Sequence, residues 1–238
     1  MDNHSTERTT NPGVCRMTPA SKQLLAPHAI AFDLDETMYP RHAGVMQAIG
    51  QRITLYLEQF MGLSTDEALA LRRKHVVEYG TTLRGLQIEN SIDSDQYMEF
   101  VHDVPIEALL RFDPRLDRAL ESIDAQKVIF TNASREHAER VLAALGMRRH
   151  FARIIDVRDT DWICKPHREA YVHLLALLAV PAQRCMLAED NVRNLRPASE
   201  MGLTTVLVDA AGDGDAVDFA IDEIWQIGAV YQSLRDAA

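Results

Sequence analysis

The chain is short of basic charge. Across its 238 residues, 25 Lys and Arg stand against 35 Asp and Glu, a formal net charge of −10. A protein that binds a nucleic-acid polymer neutralises phosphates with a basic face, so that class of partner is excluded. Cysteine is scarce as well. Cys15, Cys164 and Cys185 form an odd, widely spaced set, which supports neither a disulfide framework nor a CxxC metal site and fits a reducing, cytoplasmic setting. No apolar run reaches the ~20 residues that span a bilayer. The opening MDNHSTERTTNPGVCRMTPASK holds no continuous apolar stretch of signal-peptide type, so no membrane partner is expected. Two common site signatures, GxxxxGK[ST] and HExxH, are missing, and His167 and His173 fall on different helix faces. Gly212-Asp213-Gly214-Asp215 lacks the third glycine of a dinucleotide fingerprint and follows the last strand, so it reads as a surface turn.

What is present is a globular composition, 47% hydrophobic and 25% charged, with no internal repeat. Residues 1–26 are polar and without hydrophobic period, which predicts a disordered leader. Beyond them, short apolar β-prone runs (AIAF at 29–32, KVIF at 127–130, ARIID at 152–156, CMLA at 185–188, TTVLV at 204–208) alternate with helical stretches. That order predicts an α/β fold with a Rossmann-like parallel sheet covered by helices on both faces. Ser134 is placed to cap one helix, ended by Gly146, and Pro166 to open another. About a hundred residues separate the first two runs, with helical but almost no strand signal, so a helical subdomain is inserted there. Ser64 with Glu67 forms a capping box inside it, and a further helix is expected around Gln96 to Val101. The expected division is a core of residues 27–39 and 113–238 with an α-helical cap of residues 40–112.

In an open α/β sheet, ligands bind at the carboxyl ends of the strands. The residues there are Asp33-Leu34-Asp35-Glu36-Thr37 after the first run, Thr131-Asn132 after the second, and Glu189-Asp190-Asn191 after the fourth, with Lys165-Pro166 just before a helix. Asp33, Asp35, Glu189 and Asp190 cannot all ionise together in a crevice without a cation, because like charges raise each other's pKa. An oxygen-rich set selects a hard divalent ion, and Mg²⁺ is usual where phosphate is also bound. One of Asp33 and Asp35 can serve as metal ligand and nucleophile while the other works as acid or base. Lys165 and Thr131 supply a positive charge and a donor for an anion's oxygens.

DxDxT after the first strand, a Thr after the second, Lys-Pro at a helix start, and an acidic pair followed by Asn194 resemble the haloacid dehalogenase superfamily of phosphatases. The helical insertion lies where that superfamily's first (C1) type of cap lies. DLDETMYP, EYGTTLRGL, FTNAS and RDTDWICKPH more narrowly resemble its pyrimidine 5′-nucleotidase branch, whose members hydrolyse UMP and CMP. The resemblance implies that Asp33 attacks phosphorus to give an aspartyl-phosphate. Asp35 protonates the leaving oxygen and then activates water. It places Mg²⁺ among Asp33, the Asp35 backbone carbonyl, Asp190 and Glu189, with Thr131, Asn132 and Lys165 holding the transferring group. Glu189 stands where many members have Asp.

The cap is expected to choose the substrate. Residues 79–86 read as a glycine-bracketed polar turn between helices. Thr81, Thr82 and Arg84 are placed to contact a nucleoside monophosphate, and Tyr79 to stack on its base. Two other readings stand beside this one: a phosphatase of a sugar phosphate or phosphoglycolate, and a non-catalytic binding protein on the same fold. The acidity is concentrated late in the chain. Seven of the acids and only one base lie from Asp209 onward.

Overall fold

The computed structural model describes residues 7–8, 14–16, 24–208 and 215–237. Most of the expected leader and Gly212 to Gly214 of the expected surface turn lie outside these residues. The sheet has eight strands: β1 (Glu7–Arg8), β2 (Val14–Arg16), β3 (Ala29–Phe32), β4 (Gln126–Phe130), β5 (Arg153–Ile155), β6 (Cys185–Glu189), β7 (Thr204–Val208) and β8 (Phe219–Ile221). Their spatial order is β1-β2-β8-β7-β6-β3-β4-β5. Strands β3 to β8 are all parallel to their neighbours among them. The expectation of a wholly disordered leader does not hold for residues 14–16, because β2 pairs antiparallel with β8 and buries Val14.

Period-two alternation divides each strand between two cores. Ile30 and Phe32 join one apolar cluster with residues that include those of α6 (Pro114–Glu121), α7 (Arg135–Leu145) and α10 (Ile227–Asp236). Ala29 and Ala31 face the other, made with α8 (Arg168–Leu178) and α9 (Val192–Met201). Ser134 caps α7 as expected, accepting from the His137 N–H, and Gly146 ends it in the left-handed region. Pro166 does not open α8. A turn closed by the His167 N–H on the Cys164 carbonyl delays the helix to Arg168.

Between β3 and β4 lie α1 (Val45–Met61), α2 (Thr65–Tyr79), α3 (Thr82–Asn90), α4 (Ser94–Val101), the short α5 (Ile106–Leu109) and α6. The Ser64/Glu67 capping box opens α2. Helices α1 to α4 bury their own cluster around Tyr56, Leu57, Leu83, Leu86 and Tyr97. Val157 and Cys164 of the sheet domain join that cluster. Val104, Ile106 and Leu110 pack instead with the main core.

The polar turn expected at residues 79–86 is mostly helix. Gly80, at φ +89°, makes the turn, and Thr81 starts α3 by accepting from the Arg84 N–H at 3.1 Å. Arg193, from α9, donates to the Val76 and Val77 carbonyls at the end of α2 (2.6 and 2.9 Å), where the helix dipole favours a cation. Among the described residues, no helix is long and apolar enough to cross a membrane.

Candidate active site

Strand register decides what meets at the carboxyl edge. Phe32 is level with Ile129 on one side and Ala188 on the other, so Asp33, Thr131 and Glu189 emerge together. The Asp33 N–H donates to the Ala188 carbonyl at 2.9 Å, which extends the ladder to the site. Lys165 reaches them from the loop between β5 and α8. Its ammonium, 1% exposed, donates to Asp33 Oδ1 and Glu189 Oε2, both at 2.7 Å. Asn132 fixes the loop by pairing with the main chain of Lys165. Its Oδ1 accepts from the Lys165 N–H at 2.7 Å, and its Nδ2 donates to the Lys165 carbonyl at 3.0 Å. Asn132 thereby positions the Lys165 loop. Thr131 Oγ1 accepts from the Ala133 N–H, and the Thr37 hydroxyl donates to Asp33 Oδ2 at 3.2 Å. Glu36, at φ +64°, turns the chain sharply between them.

Burial dominates the electrostatics. It pushes the Asp33 carboxyl up to about 7, with Glu189 adding to the push and Lys165 opposing it. Burial likewise raises Glu189 to about 7 against the pull of Lys165. Lys165 itself loses hydration, but the two carboxylates outweigh that loss and hold it above its ordinary value. Oxygens of Asp33, Glu189 and Asp190 lie within 4.8 Å of one another, an all-oxygen acidic set of the kind that suits a hard divalent cation. Asp190 is also paired. Arg41 donates to its Oδ2 at 2.6 Å from a half-exposed position, so a cation at that oxygen competes with a guanidinium.

Asp35 is built differently. Its carboxylate is outside the three-acid cluster and accepts at a single oxygen, Oδ1, from the Tyr39 hydroxyl (2.6 Å) and His137 Nε2 (2.8 Å). Burial opposes its ionisation, yet His137 and Tyr39 outweigh it and bring the carboxyl down to about 2. His102 stacks on His137 at 4.3 Å between ring centroids and meets Ser134 Oγ at 3.1 Å. Neither Tyr39 nor His137 was singled out from sequence. The available signal was position: His137 lies in the first turn of the helix after β4, and Tyr39 four residues beyond Asp35.

Asp35 and Asn132 also border a cavity of about 660 Å³ beneath the helical insertion, within the range of small-molecule sites. Thr81 and Thr82 line it. Tyr79 and Arg84 do not. The Tyr79 hydroxyl is held by Glu89 at 3.0 Å and its ring lies against His75, which removes the expected stacking platform. Arg84 turns to Gln87 Oε1 at 3.3 Å.

Comparison with known proteins adds to this geometry. The family model for haloacid dehalogenase-like hydrolases matches residues 27–202. Phosphate metabolism protein 8 of Saccharomyces cerevisiae is 28% identical over 195 residues, 74% of this chain but 60% of the yeast protein, so the chain spans less than two thirds of that relative. Glyceraldehyde 3-phosphate phosphatase of Methanocaldococcus jannaschii is 21% identical over 225 residues, covering 87% of this chain and 97% of the archaeal one. Among solved structures, L-2-haloacid dehalogenase from Xanthobacter autotrophicus superposes with a TM-score of 0.58 at 15% identity, covering 87% of this chain and 99% of that one. The structural likeness is one of fold.

Proposed function

The chain belongs to the haloacid dehalogenase-like hydrolases, and from that membership we propose that it is a Mg²⁺-dependent phosphomonoesterase, a cytoplasmic pyrimidine 5′-nucleotidase that hydrolyses UMP and CMP. One observation carries the phosphatase reading: the buried Lys165 ammonium shared by Asp33 and Glu189 at the carboxyl edge. That arrangement keeps a nucleophilic carboxylate oriented and offers positive charge to an incoming phosphoryl oxygen.

In this reading the Asp33 carboxylate forms a bond to phosphorus as the bond from phosphorus to the ester oxygen breaks. The leaving oxygen takes a proton by way of Asp35: His137 and Tyr39 keep that carboxyl ionised in the free site, so the proton enters on the phosphate monoanion of the substrate and passes through Asp35 to the ester oxygen. Water then attacks the aspartyl-phosphate, gives its proton to Asp35 and releases inorganic phosphate and Asp33. Tyr39 and His137, both on Oδ1 of Asp35, leave Oδ2 to face the reacting group. Thr131 supplies a hydroxyl at the same edge, and Asn132 holds the Lys165 loop in place. Asp33, Glu189 and Asp190, with the Asp35 main-chain carbonyl, would hold Mg²⁺, which supplies charge neutralisation for phosphoryl oxygens when bound. The pyrimidine assignment rests on the motif resemblance and on the cavity lined by Thr81 and Thr82.

The test is a hydrolysis screen of nucleoside monophosphates and small sugar phosphates with Mg²⁺ and with EDTA. UMP and CMP are expected to release phosphate, EDTA to stop it, and Asp33→Asn to abolish it. A kcat/KM for a sugar phosphate or phosphoglycolate above that for UMP overturns the nucleotide reading. Full activity of Asp33→Asn overturns the mechanism.

A further inference from the structure

The cavity beneath the insertion is lined by two arginines that the hydrolytic steps do not use, the partly buried Arg72 and the exposed Arg73. Its walls are largely apolar, with Met46, Ile53, Val76 and Leu83 among them, and Arg72 of α2 lines it together with the core residues Asp35 and Asn132. The Arg72 side chain is partly buried. Among the described residues it makes one hydrogen bond, Nη1 to the Thr54 hydroxyl at 2.7 Å, and no carboxylate pairs with it. Its neighbours on the insertion differ: Arg52 reaches Asp103 at 3.3 Å, and Lys74 reaches Glu89 at 2.6 Å. Burial holds Arg72 below its ordinary pKa, with only the Tyr97 phenol in opposition. A guanidinium that has lost water without gaining an anion is a cost, and an oxygen acceptor on a ligand relieves it.

The geometry points to Arg72 as a specificity-determining residue: it donates to a carbonyl or carboxylate oxygen on the leaving group, selecting phosphate esters that carry such an oxygen away from the phosphate. This rests on the proposed hydrolysis at Asp33 and Asp35, with the leaving group in the adjoining cavity. Arginine has donors and no acceptor, so it suits the ring carbonyls of a pyrimidine, while the apolar walls suit the faces of the ring. The competing role for Arg72 is a brace between α1 and α2 through Thr54.

The experiment compares kcat/KM for UMP and for phenyl phosphate, whose leaving group has no second oxygen, in the full chain and in Arg72→Met, Arg72→Lys and Thr54→Val. The UMP to phenyl phosphate ratio is expected to fall about 10- to 100-fold in Arg72→Met, the range for a lost charged hydrogen bond, and to recover partly in Arg72→Lys. Thr54→Val, which removes the brace and keeps the guanidinium, is expected to keep the ratio. An equal loss for both esters in Arg72→Met, or a selective loss in Thr54→Val, overturns the assignment. Should the wild type hydrolyse phenyl phosphate and not UMP, the nucleotide reading fails by itself. Arg72 is then judged on 3-phosphoglycerate against glycerol 3-phosphate, where a selective loss in Arg72→Met supports it and its absence overturns it.

Discussion

Asp190 sits between two demands. Its Oδ2 is bound by Arg41, and its carboxylate also belongs to the three-acid cluster with Asp33 and Glu189. A ligand that binds only the folded state stabilises it by mass action, about 2.7 kcal/mol at a hundredfold excess over Kd. Mg²⁺ should therefore raise the thermal midpoint of the wild type, and Asp190→Asn should lose most of that increment, as read by thermal denaturation against Mg²⁺ concentration. Arg41→Ala, which removes the competing guanidinium, should shift the same titration to lower Mg²⁺. At this scale the sequence was most legible where chemistry follows a strand directly. Asp33, Thr131, Glu189 and Asp190 all sit at strand ends, and the apolar runs before them fix their level. Tyr39 and His137 were not singled out, and the pairing of Asn132 with the Lys165 main chain was not visible, since these roles depend on partners far along the chain or on a turn that no spacing reports.

Helices α2 and α3 meet at Gly85. A Cβ built there would stand 2.2 Å from Cγ of the buried His75 ring, and that ring is tied to Glu89 at 3.2 Å. Gly85→Ala gains about 1 kcal/mol of helix propensity, yet overpacking of this kind costs about 1 to 3 kcal/mol. A net loss of stability is expected, seen as a lower urea midpoint, and the opposite result would mean that the two helices separate freely. The same glycine explains why α3 was hidden. Gly80, Thr81, Thr82 and Gly85 have the composition of a turn, whereas in the structure one glycine bends the chain, one threonine caps a helix and the second glycine permits helix contact. Strand β8 was hidden for another reason. Phe219–Ile221 has only three residues, too few for alternation to show, and its place is set by pairing with β7 and β2.

Over the whole molecule, proton linkage pulls in two directions. Burial and the neighbouring His137 hold His102 down to about 3 from an ordinary 6.5. Between those values the unfolded chain holds the extra proton, so this residue removes stability as pH falls from 6.5 toward 3. Asp33 and Glu189, raised to about 7, act with the opposite sign below neutrality, because there the folded chain holds more protons. A paired comparison isolates the histidine. In metal-free buffer, the stability of the wild type relative to His102→Asn should decline between pH 7.5 and pH 5, measured by urea denaturation at each pH, and a constant difference would contradict the assignment. The late acidic residues are likewise not one surface. Asp218 is fully buried and accepts from the Thr205 N–H at 3.0 Å, while Glu223 pairs with Arg115 at 2.9 Å. The pair of hydrogen bonds between the Asn132 amide and the main chain of Lys165 has its own consequence for how this enzyme tolerates change. The loop is anchored through atoms that every amino acid except proline possesses, so charge and placement are inherited separately at position 165: a neutral side chain there silences the ammonium while the anchor keeps its address.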